Sequence, residues 1–258
     1  MMNIIVCIKQ VPSSNKVIMD PETHTIVRDG KKSVVNPYDS FALEEALKLK
    51  DKHGGKVMGL SMGIMDTKRI LKEAQAQGAD ECYLLSDRAF AGADTLATSY
   101  ALSLGANYIH HYDLIICGKM AIDGDTAQIG PELAEWLHIP HVSDVSEIMD
   151  STETDVTVRK TGDFGEEIIK LKLPSLITVN KDINLPRLAS LDGFEKSLHK
   201  PVKVLTALDL NADLNLCGLK GSPTQVVRTY VPENQSQCKF IHQEEAADLL
   251  KTYVGGIK

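Results

Sequence analysis

The first half of the chain alternates short apolar runs with amphipathic helical patterns, and no other feature restricts the fold as much. Such alternation builds a parallel sheet, because parallel neighbours need a crossover long enough to hold a helix. Asn3–Ile8 (NIIVCI) reads as a strand covered on both faces, which need not alternate. Asn36-Pro37 opens a helix, with Asn as the side-chain cap and Pro at the first helical position. On it Tyr38, Phe41, Ala42, Ala46 and Leu49 form one stripe, Glu44, Glu45, Lys48 and Asp51 face water, and Gly54-Gly55 ends the pattern. A second unit has a strand at Val57–Ser61, then Asp66 capping a helix with Ile70, Leu71 and Ala74, stopped by Gly78. A third pairs strand Glu81–Leu85 with a helix capped by Asp94 and carrying Leu96, Ala97, Tyr100, Ala101 and Leu104. The fourth strand, Leu114–Cys117, enters a glycine-bearing loop and a helix around Glu132–Leu137. Crossovers of this kind are nearly always right-handed, so the expected fold is α/β with a doubly wound, mainly parallel sheet.

After Pro140 the character changes. Val156 and Val158 alternate with polar residues, and TGDFGE turns into Glu166–Leu173, so 155–173 reads as a β-hairpin. Pro174 separates it from Ser175–Val179, a further strand of the main sheet. PRLASLDGFEKSLHKP is loop-like with a short basic helix. From Gly221-Ser222-Pro223 to Val231-Pro232 the chain reads as an extended arm, and Glu244–Tyr253 as a last amphipathic helix with Leu249, Leu250 and Tyr253. The expected division is an α/β domain over 1–200 and an arm with a helix over 201–258.

With 258 residues and a formal charge of −7, the chain has no long basic run, which argues against a nucleic-acid protein, whose affinity comes from neutralising phosphates. No run of about 18 apolar residues is present to span a membrane. The opening MMNIIVCIKQVPSS lacks a signal-peptide cleavage pattern. Cys7, Cys82, Cys117, Cys217 and Cys238 contain no C-x-x-C pair and read as buried or free thiols in a reducing compartment, so the expected location is cytoplasmic. Neither G-x-S-x-G nor H-E-x-x-H occurs, and His110-His111 and His138/His141 read as surface histidines. Chemistry is therefore expected from a bound cofactor.

In an open α/β sheet, ligands bind beyond the carboxyl ends of the strands, where strand order reverses. GKMAIDGDTAQIGPELAEWL (Gly118–Leu137) fits that place, since it leaves a strand, carries Gly118, Gly124 and Gly130, and runs into a helix. Such a loop presents backbone N–H groups and a helix start to a diphosphate. It is neither a Walker A loop nor a G-x-G-x-x-G fingerprint. Asp123 and Asp125 repel phosphate and suit ribose hydroxyls or loop bracing, leaving Thr126 and Gln128 as the better polar contacts; equally, the segment is a glycine-rich turn with Asp125 as a helix cap. Asp94, Thr95 and Thr98, at the start of the third helix, hold a phosphate or ribose, or cap that helix. Asn36-Pro37-Tyr38-Asp39 likewise either lines an adenine pocket or only starts a helix.

Taken in order, VCIKQVP (Val6–Pro12), NPYDSFALEEALKLK (Asn36–Lys50), GKMAIDGDTAQIGP (Gly118–Pro131), RKTGDFGEEIIKLKLPSLITV (Arg159–Val179) and N-x-P-R-x-A-S-L (Asn184–Leu191) resemble the β subunit of electron-transferring flavoproteins over nearly the whole chain. The resemblance implies an adenine-nucleotide-hydrolase-like α/β fold and an α-subunit partner that holds most of an exchangeable FAD. It implies a nucleotide site lined by Cys7, by Asn36, Pro37, Tyr38 and Asp39, by Gly59, and by Gly118, Lys119, Met120, Ala121, Ile122, Asp123, Gly124, Asp125, Thr126, Ala127, Gln128 and Ile129. Respiratory members carry AMP there; the electron-bifurcating branch carries a second FAD. D-G-D-T (Asp123–Thr126) and A-G-A-D-T-L-A-T-S (Ala91–Ser99) are similar to the bifurcating branch, which favours FAD over AMP. The implied activity takes hydride from NADH and divides the electrons. One goes to the α-subunit FAD and onward to an acyl-CoA or 2-hydroxyacid dehydrogenase, the other to ferredoxin. The loop Pro186–Lys200 resembles the family's recognition loop, with Leu191 as anchor and Arg187, Lys196 and Lys200 steering the partner. The arm and last helix are expected either to wrap the α subunit or to pack on this chain's own core. Two other readings share the fold: a β subunit with structural AMP, and a non-redox ATP/AMP-binding module like universal stress proteins.

Overall fold

A computed structural model of the chain describes residues 1–13, 33–227 and 243–254. The strands are β1 (Ile4–Cys7), β2 (Gln10–Pro12), β3 (Ser33–Val35), β4 (Val57–Met62), β5 (Glu81–Leu85), β6 (Leu114–Gly118), β7 (His141–Ser151), β8 (Asp155–Gly162), β9 (Gly165–Lys172), β10 (Ser175–Val179) and β11 (Val202–Leu205). The helices are α1 (Pro37–His53), α2 (Lys68–Gln77), α3 (Thr95–Ile109), α4 (Ile129–Leu137), α5 (Leu191–His199) and α6 (Gln243–Val254). Nine strands form one sheet in the order β11-β5-β4-β1-β6-β10-β7-β8-β9, parallel from β11 to β7 and antiparallel across β7, β8 and β9. β2 and β3 make a separate antiparallel ribbon. From β1 the chain steps outward to β4 and β5, then returns to β6 on the other side of β1. Strand order therefore reverses between β1 and β6, as a doubly wound α/β fold requires.

Both faces of this sheet are covered. Ile4 and Val6 of β1 pack with Leu43 of α1 and Leu71 of α2, whereas Ile5 and Cys7 pack with Ala101 of α3 and Leu133 of α4. Every residue of β1 is buried, which is why its sequence does not alternate. Ile4, Ile5, Leu114, Ile115 and Ile116 are fully buried, each contributing about 1.5–3 kcal/mol. The two strands that frame the reversal are thus anchored from both sides.

Several local expectations are overturned by contacts from distant segments. Glu44 and Glu45 do not face water; both are buried, because Arg187 binds Glu44 and Asn184 donates to Glu45 Oε2. Asn36 does not cap α1 with its side chain, and Asp66 lies in a 3₁₀ turn (Met65–Thr67) rather than capping α2, its carboxylate accepting from Gln10 Nε2 at 2.9 Å. Leu96 is exposed rather than part of the buried stripe of α3. α4 starts at Ile129, with Gln128 rather than Asp125 at its cap position. β7 was not foreseen, and β11 extends the sheet beyond β5, in the region expected to belong to the arm. The first compact unit runs from Met1 to Val227. Residues 228–258 form a second unit, in which α6 covers the expected Glu244–Tyr253 helix. Of the expected arm, residues 221–227 are described; 228–232, Cys238 and the side chain of Tyr253 lie outside the described residues. No helix among the described residues is long and apolar enough to cross a membrane.

Candidate functional site

Beyond the carboxyl ends of β1 and β6, where a doubly wound sheet forms its binding cleft, stands the first turn of α1. Asn36 holds this corner together. Its Nδ2 donates to Asp39 Oδ1 and to the Met120 carbonyl, both at 2.9 Å, and its Oδ1 accepts from Ile122 N–H at 3.2 Å. Asp39 is buried, and its Oδ2 accepts from Lys9 N–H at 2.7 Å. Burial pushes its pKa up from 3.8 to about 7, against the Lys9 N–H, the Asn36 amide, the Lys9 charge and the Gly118 N–H, which favour the carboxylate. Gly118 is needed here for close approach, since a Cβ would lie 2.4 Å from Asp39 Oδ1 and 2.6 Å from Tyr38 Cβ. Pro37 begins α1 beside them. On the floor, Cys7 and Cys117 are buried free thiols in contact; the hydrogen bond with Cys7, and then burial, raises the Cys117 pKa well above its ordinary value.

The loop after β6 forms the mouth. Met120, Ala121 and Ile122 are half-buried under the Asn36 side chain, whereas Asp123 through Gln128 are exposed. Gly124 and Asp125 N–H groups turn back to the Ala121 carbonyl. Asp125 and Ala127 adopt left-handed backbone, at φ 50° and 54°. Around them the N–H groups of Thr126, Ala127 and Gln128 have no hydrogen-bond partner among the described residues, and they run directly into the start of α4 at Ile129. Consecutive free N–H groups in alternating backbone, ending in a helix N-terminus, form a concavity suited to an anion. A Cβ on Gly124 would meet nothing within 4 Å, so this part of the loop borders open space. Lys9 Nζ reaches across to Asp123 Oδ1 at 2.6 Å, and Lys119 Nζ binds Asp144 Oδ2 at 2.6 Å.

The start of α3 adjoins the same loop. Thr95 Oγ1 donates toward Gln128 Oε1 (3.3 Å) and Glu132 Oε1 (3.1 Å). Burial raises the Glu132 pKa, opposed by hydrogen bonds from Thr95 and Ser99. Asp94 does cap α3, accepting from Ala97 N–H at 3.1 Å, and its other oxygen accepts from Thr224 N–H and Oγ1. Burial pushes Asp94 upward, but these donors and Ser222 together hold its pKa below the ordinary value. Thr98, half-buried, lies one turn further along α3. Gly59 stands apart: it is mid-strand opposite Val6, where a Cβ would come within 2.9 Å of Cys82 Sγ. At the level of the cleft, β4 instead offers Ser61 and Met62. Lys9, Met62 and Glu132 were missed from sequence, although Lys9 sits inside VCIKQVP and Met62 lies one residue past the expected strand end.

Away from the cleft, Leu191 opens α5 and is 91% exposed, with Leu185 and Leu188 also exposed. Arg187 is committed within the chain, to Glu44 (2.9 and 3.1 Å) and Asp51 (2.9 Å). Lys196 pairs with Asp192 at 2.7 Å, and Lys200 Nζ donates to the Ala79 carbonyl.

A family model described as "Electron transfer flavoprotein domain" matches residues 23–210. The chain is 50% identical over 235 residues to the electron transfer flavoprotein subunit beta of Thermoanaerobacterium thermosaccharolyticum, covering 91% of this chain and 90% of that one. It is 46% identical over 248 residues to the protein of the same name from Clostridium acetobutylicum, covering 95% of each. It is also 43% identical over 232 residues to subunit CarD of the caffeyl-CoA reductase-Etf complex of Acetobacterium woodii, covering 90% and 88%.

Proposed function

The chain belongs to the electron transfer flavoprotein β-subunit family, and on that premise we propose that it is a redox-active β subunit whose cleft between β1 and β6 holds FAD. The observation that carries this reading is the run of N–H groups at Thr126, Ala127 and Gln128 that have no partner among the described residues. A diphosphate fits that chemistry, and the open space at Gly124 supports a ligand longer than AMP. The three N–H groups and the start of α4 would hold the diphosphate. Asn36 and Asp39 keep the preceding loop residues fixed against β1, so those groups are positioned before any ligand arrives. Thr95 and Glu132 tie α3 to the same loop, and Cys7 forms a dry floor.

When bound, the flavin supplies hydride acceptance from NADH and single-electron release, toward the α-subunit FAD with its acyl-CoA or 2-hydroxyacid dehydrogenase and toward ferredoxin. No acid or base from this chain is required, since the protein places the ring and sets its surroundings. The relation to a subunit of a caffeyl-CoA reductase-Etf complex supports a CoA-ester oxidoreductase as the partner. The exposed Leu185, Leu188 and Leu191 support docking of a dehydrogenase, and the arm and helix expected over 201–258 are proposed to contact the α subunit. The buried free thiols suit a reducing, cytoplasmic setting. Anaerobic titration of the α/β heterodimer with NADH tests the reading. Bleaching of flavin absorbance is expected; a flavin that NADH leaves oxidised overturns the assignment of NADH as donor.

A further inference from the structure

We propose that Lys9 is a phosphate-recognising residue of the cleft, its ammonium held by Asp123 until the phosphate of an incoming nucleotide displaces that carboxylate. This rests on the nucleotide-cleft reading above and adds a residue and an exchange to it. Lys9 lies two residues beyond the end of β1, Asp123 lies on the loop after β6, and their 2.6 Å contact therefore bridges the two sides of the mouth. Their side chains are 48% and 32% exposed, and an ion pair in that setting adds little to stability, so exchanging one partner is cheap.

A second lysine described at the cleft, Lys119, is not available for the same task. Lys119 binds Asp144 Oδ2, and Asp144 Oδ1 is already buried without a partner. Withdrawing Lys119 would leave both oxygens of a partly buried carboxylate unserved. Asp123 also stands three residues before the first free N–H, at Thr126, where an unneutralised carboxylate opposes phosphate binding. Pairing with Lys9 neutralises it in the free chain. A phosphate carries more charge than a carboxylate and accepts charge-assisted hydrogen bonds, so it competes successfully for the ammonium. Asp123 then acts as a selectivity filter, since a neutral ligand gains nothing from breaking the pair.

The test uses the full-length chain freed of nucleotide, with ADP as the charged probe and adenosine as its neutral counterpart, measured by calorimetry. Lys9→Gln is expected to weaken ADP binding roughly tenfold, the effect of losing one charge-assisted contact. Asp123→Asn is expected to strengthen it by a few-fold, because it removes the competitor. Adenosine should bind equally to all three proteins. If both substitutions weaken ADP and adenosine alike, the pair only braces the loop and the proposal is overturned; ADP binding indifferent to both substitutions overturns it too. A wild-type chain that binds neither probe removes the nucleotide-cleft reading itself, and the Lys9 exchange with it.

Discussion

Replacing Asp39 with asparagine probes the most strongly perturbed carboxyl at the cleft. Its pKa stands near 7 in the folded chain against an ordinary 3.8, because burial outweighs the donors around it. The folded state therefore binds this proton more tightly than the unfolded state does. The stability it contributes is fully present below pH 3.8 and is lost as pH rises through about 7. A gap of about 3 units at ~1.4 kcal/mol each makes the full swing about 4 kcal/mol. Between pH 8 and pH 5.5, where the unfolded carboxyl stays ionised, about half is recovered, ~2 kcal/mol. Asp39→Asn does not titrate. Its amide also meets donors where the carboxylate accepted, from Lys9 N–H and Asn36 Nδ2, and that cost is the same at every pH. Urea denaturation of wild type and variant across this range separates the two effects. The difference should shift by ~2 kcal/mol in favour of wild type as pH falls to 5.5. Parallel stability curves would show that the three neighbouring donors already compensate the buried charge, and would refute the reasoning.

Other perturbations give expectations of the same kind. Gly118→Ala places a Cβ 2.4 Å from Asp39 Oδ1 and 2.7 Å from the Tyr38 backbone carbon; a loss of about 1–3 kcal/mol with weaker nucleotide retention is expected in thermal melts and release assays. Arg187→Ala leaves the buried Glu44 carboxylate without its guanidinium; since Arg187 is itself partly exposed, a loss of about 1–3 kcal/mol is expected in denaturant titration. Leu191→Ala removes a side chain that is 91% exposed, so stability should change by less than about 0.5 kcal/mol. Electron delivery to the partner dehydrogenase should nevertheless slow without flavin loss, and unchanged transfer kinetics would reject the docking role.

The parallel half of the sheet was legible because its strands are bounded by turn signals. Glu81–Leu85 and Ser175–Val179 were read at their observed limits. β7 was not, because only Val142, Val145 and Ser151 of HVSDVSEIMDS are buried and a left-handed Asp144 breaks the alternation. β11 has four residues, too few for a pattern, and forms by pairing with β5. Cap rules failed where a distant partner claims the side chain. Asn36 is taken by Met120, 84 residues away, and Glu44 is buried by Arg187, 143 residues away. At the candidate site, local signals pointed to Gly118–Leu137 and the first turn of α1, and hydrogen bonds join Asn36 to Asp39, Met120 and Ile122 there. Local signals gave no access to Lys9–Asp123 or Thr95–Glu132, because these contacts exist only once β1, β6, α3 and α4 have assembled.

Mass identification and counting of the nucleotides released from the purified α/β heterodimer tests the central claim most directly. Two FAD per heterodimer is the expected result. One FAD together with one AMP, or a cleft that releases no nucleotide, would contradict a flavin bound between β1 and β6.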